Sequence, residues 1–204
     1  MNFVEPIRER KKIAQIKNQL RGQGRFRDLL LFIFGINAAL RISDLLQLRI
    51  EHVLGEQNQI KKRFWIKEQK RKKRHEIIIN QSIHDALVEY LSAYPSISDD
   101  QTNFIFFNTK TNNYTNPIRR GQAWKFVKSI CLDVGLNGNY GTHSLRKTWG
   151  YHARMQGVDL ALIMHKLNHE SIAYTKRYLG ITDDELEAVA QRLNLWTAID
   201  QSKE

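Results

Sequence analysis

The chain has 204 residues and a mass of 24.0 kDa, enough for one domain or two small ones with a sizeable core. Its 32 Lys and Arg against 21 Asp and Glu leave a net charge of +11, which makes a polyanion the first partner to consider. With 42% apolar residues, three prolines and a single cysteine, Cys131, a basic disordered tail and a disulfide scaffold are excluded, and a reducing, cytoplasmic setting is expected.

The opening Met-Asn-Phe-Val-Glu-Pro lacks the pattern of a secretory leader, and the apolar run around Leu29 to Phe34 is too short for a membrane span. Pro6 followed by Ile7, Ile13, Ile16 and Leu20 predicts a basic amphipathic helix over residues 1–24, with proline near its first turn and Gly22 and Gly24 at its end. Phe26 to Leu40 reads as a buried helix, and Ser43 starts another through Leu48. Phe64–Ile66 and Glu76–Ile79 are β-rich around a polar connector, Gln69 to Arg74, so a hairpin is expected. Residues 61–74 hold nine basic side chains and one acid, Glu68.

Ser82 to Tyr94 has helical spacing and ends at Pro95; Ser96 to Asn103 reads as a loop, Phe104–Phe107 as a short strand, and the run to Asn116 as a second loop. Gln122 to Val134 is a helix closed by Gly135. Three short elements follow, split by Gly157 and the His169–Ser171 turn, and Thr182-Asp183-Asp184-Glu185 caps a last helix through Leu193. The expected fold is mainly α with a small antiparallel β-sheet, as a single domain.

Four places set polar groups into apolar surroundings: Arg41 with Asp44, the connector Lys70-Arg71-Lys72-Lys73-Arg74, the segment Thr142-His143-Ser144-Leu145-Arg146, and Leu167-Asn168-His169 with Tyr178 nine residues on. Each alone has a plain structural reading: a capping ion pair, a solvated turn, two hydrogen-bonded histidines. Together, two guanidiniums, two imidazoles, an ammonium and a phenol are the groups that hold and cleave a phosphodiester. Guanidiniums grip the non-bridging oxygens, imidazole moves a proton, and a phenolate attacks.

With these motifs the sequence resembles the tyrosine recombinase (phage integrase) family over residues 25–181. Arg41 matches the first catalytic arginine, Lys70 the hairpin lysine, His143 and Arg146 the His-x-x-Arg box, His169 the later histidine box and Tyr178 the nucleophile. The resemblance implies a site-specific recombinase in which Tyr178 forms a 3′-phosphotyrosyl link. Arg41, Arg146 and His169 would stabilise the transition state, His143 would take the phenol proton and Lys70 would protonate the leaving 5′ oxygen. Asp44 would buttress Arg41, and Arg71, Lys72, Lys73 and Arg74 would contact DNA.

The resemblance implies no cofactor and no metal. Lys166 also stands where a His165/His169 zinc motif would need Glu. It further implies double-stranded DNA as partner, a homotetramer on that DNA, an accessory DNA-bending protein as a possible helper, and the bacterial nucleoid or a phage as the setting. The segment Asp183–Leu193 with Leu195 and Trp196 would dock on a neighbouring protomer. The family's separate core-binding domain is not expected before Arg41, as in recombinases of the fimbrial phase-variation kind.

A type IB topoisomerase-like activity and a catalytically silent DNA-binding regulator are the alternatives. Tyr174 competes with Tyr178, and Lys72 and Lys73 with Lys70. Two family positions differ: Ala38-Ala39 replaces Thr-Gly before Leu40-Arg41, which alters a helix end, and Asn168 replaces glycine before His169. If residue 168 takes a positive φ, asparagine is the side chain that best tolerates it.

Overall fold

The computed structural model describes residues 4–70, 73–110, 113–181 and 191. The expected terminal helix from Asp183, with Leu195 and Trp196, lies outside these residues, as do Arg71 and Lys72. The chain divides into two compact units, Met1–Val158 and Asp159–Glu204.

In the first unit, helices α1 (Arg10–Gly22) and α2 (Phe26–Ala38) are followed by two single turns, α3 (Ile42–Leu45) and α4 (Ile50–Val53). Strands β1 (Arg63–Lys67) and β2 (Arg74–Ile78) pair antiparallel with Trp65 opposite Glu76, which is the expected hairpin. Next come α5 (Gln81–Ala93), the short pair β3 (Phe107–Asn108) and β4 (Asn113–Pro117), α6 (Arg120–Asp133) and α7 (Thr142–Met155).

The core forms around α2, whose residues from Asp28 to Gly35 are all buried. Phe34 meets Phe64 and Phe106 edge-on, tying α2 to the hairpin and to the segment before β3. Asn80 caps α5 by accepting from the Ile83 amide at 3.0 Å. Helix α7 approaches α2 closely at Gly35, where an added Cβ would lie 2.9 Å from the Leu145 Cβ. Just before the turn that holds Leu145, Gly141 occupies the N-cap position of α7, and the Trp124 ring of α6 is packed over it.

Three expectations are corrected. The first helix begins at Arg10 and not near Pro6, because Ile7 is buried ahead of the helix. Its amide donates to the Thr148 hydroxyl at 2.8 Å and its carbonyl accepts from His152 Nε2 at 3.0 Å, so contacts with α7 override local propensity. The polar run before Asn116 is strand β4 and not a loop; Tyr114 packs edge-on against Phe107 with ring centroids 4.6 Å apart. Residues Pro95–Asp99 form a 3₁₀ turn closed by the buried Ile97. The β content is therefore two two-stranded antiparallel pairs in a mainly helical fold.

The second unit contains α8 (Leu160–Lys166) and α9 (Ile172–Leu179). Asp159 caps α8 by accepting from the Ala161 amide at 2.7 Å, and Ser171 caps α9 by accepting from the Tyr174 amide at 3.1 Å. Asn168, between the two helices, has φ +47°, the left-handed conformation anticipated from its side chain. No helix among the described residues is long and apolar enough to cross a membrane.

Candidate active site

The first unit brings Arg41, Asp44, His143, Arg146 and the Lys70 hairpin around the end of α2. That helix stops at Ala39, which takes φ +58°, and the resulting turn presents the Ala39 carbonyl to Arg146. Nη1 of Arg146 donates to this oxygen at 2.5 Å. Arg146 is only 2% exposed, so the contact holds a charged group inside the fold. His143 and Arg146 are three residues apart in the first turns of α7 and therefore share a face.

Arg41 occupies the N-cap position of α3 and its side chain is 17% exposed. Its ion partner is Glu68, with Nη1 2.7 Å from Oε1, and not Asp44 as expected. Asp44 is turned to the hairpin, where Oδ1 accepts from the Gln69 amide at 2.9 Å. Its other oxygen is buried with no hydrogen-bond partner among the described residues. Burial raises the Asp44 carboxyl above the ordinary carboxylate range, the Gln69 amide opposes that shift, Glu68 adds to it, and Arg41 and Arg146 counter it. The two contacts at Glu68 and Gln69 pin the end of β1 to the Arg41 turn. Lys70 follows at once, exposed in the hairpin turn.

Sequence reasoning did not assign Glu68 a role, although it is the lone acid in the basic run. Lys73 and Arg74 are exposed beside the turn, with the Arg74 guanidinium 4.4 Å from the centre of the Trp65 ring.

The surroundings of His143 are cationic. The residue is open to water on one side but lies in dense protein, and burial first, then the charges of Arg146, Lys147 and Arg41, push its imidazole down to about 4. At pH 7 it is neutral and able to accept a proton. Three cations concentrated at one place oppose one another, and a bound anion relieves that repulsion.

The second unit holds His169 and Tyr178. Thr175 donates its hydroxyl proton to the Ser171 carbonyl at 3.0 Å, so at the 3.1 Å contact between Thr175 Oγ1 and His169 Nδ1 the histidine is the donor. This assigns the tautomer that carries the proton on Nδ1. The His169 ring lies edge-on to Tyr178 and to Tyr174, 4.7 Å from each ring centre. Of the two phenols Tyr178 is the buried one, at 7% exposure, against 53% for Tyr174.

Among the described residues no group of three or more His, Cys, Asp or Glu side chains could hold a metal ion.

The profile of the phage integrase family matches residues 8–185. The chain is 38% identical over 188 residues to the probable integrase/recombinase YoeC of Bacillus subtilis, covering 92% of this chain and 96% of that protein. It is 27% identical over 187 residues to the tyrosine recombinase XerA of Pyrococcus horikoshii, covering 92% of this chain but 60% of that one. In fold it is similar to the XerH site-specific recombinase bound to its difH substrate, with a TM-score of 0.72, 21% identity, and coverage of 94% of this chain and 53% of XerH. The chain thus spans nearly all of one relative and little more than half of the larger recombinases. The chain belongs to the phage integrase family, the tyrosine recombinases.

Proposed function

We propose that this chain cleaves and rejoins DNA strands at specific sites through a 3′-phosphotyrosyl intermediate. The observation that carries the reading is the cationic cluster of Arg41, Arg146 and Lys147 around a neutral His143, a setting suited to an anionic phosphodiester. The Tyr178 oxygen attacks phosphorus and the bond from phosphorus to the 5′ oxygen breaks. The phenol proton passes to His143, and the Lys70 ammonium supplies a proton to the leaving 5′ oxygen. Arg41, Arg146 and His169 stabilise the charge on the non-bridging oxygens as it develops. Asp44 holds the end of β1 through the Gln69 amide, and so holds the strand that leads to Lys70.

The free 5′ hydroxyl of a partner strand then attacks the phosphotyrosine, restoring the phosphodiester and the phenol. Double-stranded DNA is the partner. Arg71, Lys72, Lys73 and Arg74 contact its backbone, four protomers assemble on it, and an accessory DNA-bending protein assists where the site requires it.

The test is a nicked suicide duplex, selected from a random-sequence pool by covalent capture on the wild-type chain. Wild type accumulates a covalent adduct and Tyr178→Phe accumulates none. Failure to capture any duplex refutes the catalytic reading and leaves a DNA-binding regulator. Relaxation of supercoiled plasmid without recombinant product refutes strand exchange in favour of topoisomerase-like resealing.

A further inference from the structure

Glu68 is buried to 0% exposure in a strand end that is otherwise basic. An isolated carboxylate there would be expensive, and this one is paired with a cation. Arg41 Nη1 lies 2.7 Å from Oε1, and His75 Nδ1 lies 3.5 Å from the same oxygen. The Glu68 amide donates to the Lys73 carbonyl at 3.0 Å, so the hairpin itself holds the carboxylate in place. Glu68 engages one nitrogen of the Arg41 guanidinium and leaves the rest of that planar fork for an oxyanion.

We propose that Glu68 is a positioning residue for strand cleavage, orienting the Arg41 guanidinium before DNA arrives and acting through Arg41. The proposal rests on the reading in which Arg41 binds the scissile phosphate. An arginine side chain has many rotamers, and restraining it in the folded protein moves that ordering cost from the transition state to folding. A core role alone would not call for charge, because a well-packed apolar pair is often as stable as a buried ion pair. A role in merely weakening the field of Arg41 has the opposite sign: removing the charge would then speed cleavage.

The experiment measures single-turnover adduct formation at saturating concentration of the pool-selected suicide duplex for wild type, Glu68→Gln, Arg41→Lys and the double variant, with DNA affinity and thermal melting in parallel. Glu68→Gln is expected to slow adduct formation about 10- to 100-fold, in line with small misplacements of a catalytic group. DNA affinity stays within about twofold, since one phosphate contact among many is touched. The double variant is expected to be no slower than Arg41→Lys alone.

Equal or faster cleavage by Glu68→Gln overturns the proposal, as does a double variant whose defects multiply. A purely structural role would give multiplied defects with a lowered melting point. If Glu68→Gln does not fold, Glu68→Asp keeps the charge but shortens the reach by one methylene. It is expected to cleave more slowly than wild type and to add nothing to Arg41→Lys, and a wild-type rate overturns the proposal. Failure of the underlying reading looks different: Arg41→Lys would then cleave at the wild-type rate.

Discussion

Gly35→Ala probes how the first unit sets Arg146. In an isolated helix the change favours α2 by about 1 kcal/mol, because alanine has the higher helix propensity. Here the new Cβ would lie 2.5 Å from Leu145 Cδ1 and 2.9 Å from Leu145 Cβ. A rotamer change moves the first atom away but cannot move the second. Reaching an ordinary contact of about 3.5 Å requires α2 and α7 to separate by roughly 0.6 Å there.

Overpacking of this kind costs about 1–3 kcal/mol, so the net effect, after the propensity gain, is a loss of about 0–2 kcal/mol. Arg146 follows Leu145 directly, and its 2.5 Å bond to the Ala39 carbonyl spans the same gap. Adduct formation should therefore fall by about 10-fold or more, out of proportion to stability. Urea unfolding and single-turnover cleavage read the two effects. A Gly35→Ala variant that is about 1 kcal/mol more stable and cleaves at the wild-type rate would refute the reasoning.

Other predictions address single groups. The His143 imidazole is held near 4 in the folded chain against 6.5 for an ordinary histidine, so on acidification the unfolded chain takes up the proton first. Its contribution to stability is complete above pH 6.5 and is lost as pH falls toward 4; His143→Gln should show a shallower decline over that window in urea titrations. Asn168→Val forces a β-branched residue into φ +47°, and should destabilise the second unit by about 1–2 kcal/mol, while Asn168→Gly stays near wild type, as read by hydrogen exchange. Lys70→Ala should slow adduct formation about 10²- to 10⁴-fold. A duplex with sulfur at the scissile 5′ position, whose thiolate leaves without a proton, should restore Lys70→Ala and leave Arg146→Ala impaired.

Legibility from sequence followed the range of the interactions involved. The β1–β2 hairpin and the position of Lys70 in its turn were readable because Phe64–Ile66 and Glu76–Ile79 carry strand propensity on their own. Residue 168 was readable because asparagine tolerates one unusual backbone conformation. Strand β4 was not, since Asn113–Pro117 is polar and is held by Phe107 packing on Tyr114. Nor was the start of the first helix, because Ile7 is held by the Thr148 hydroxyl of α7, 141 residues away.

The site followed the same rule. The types and order of Arg41, Lys70, His143, Arg146, His169 and Tyr178 are sequence features. The Ala39 carbonyl that receives Arg146 lies 107 residues from it, and Glu68 lies 27 from Arg41; both contacts arise from tertiary packing. A lone acid in a basic strand was the only local trace of the second.

The assignment of the nucleophile is open to one direct measurement. Trypsin cuts after Lys166, Lys176, Arg177 and Arg192, so Tyr174 and Tyr178 fall on separate peptides, Leu167–Lys176 and Tyr178–Arg192. Mass spectrometry of the covalent complex, after nuclease trimming of the DNA, should find the nucleotide mass on Tyr178–Arg192. The same mass on Leu167–Lys176, or no nucleotide on either peptide, would contradict the account.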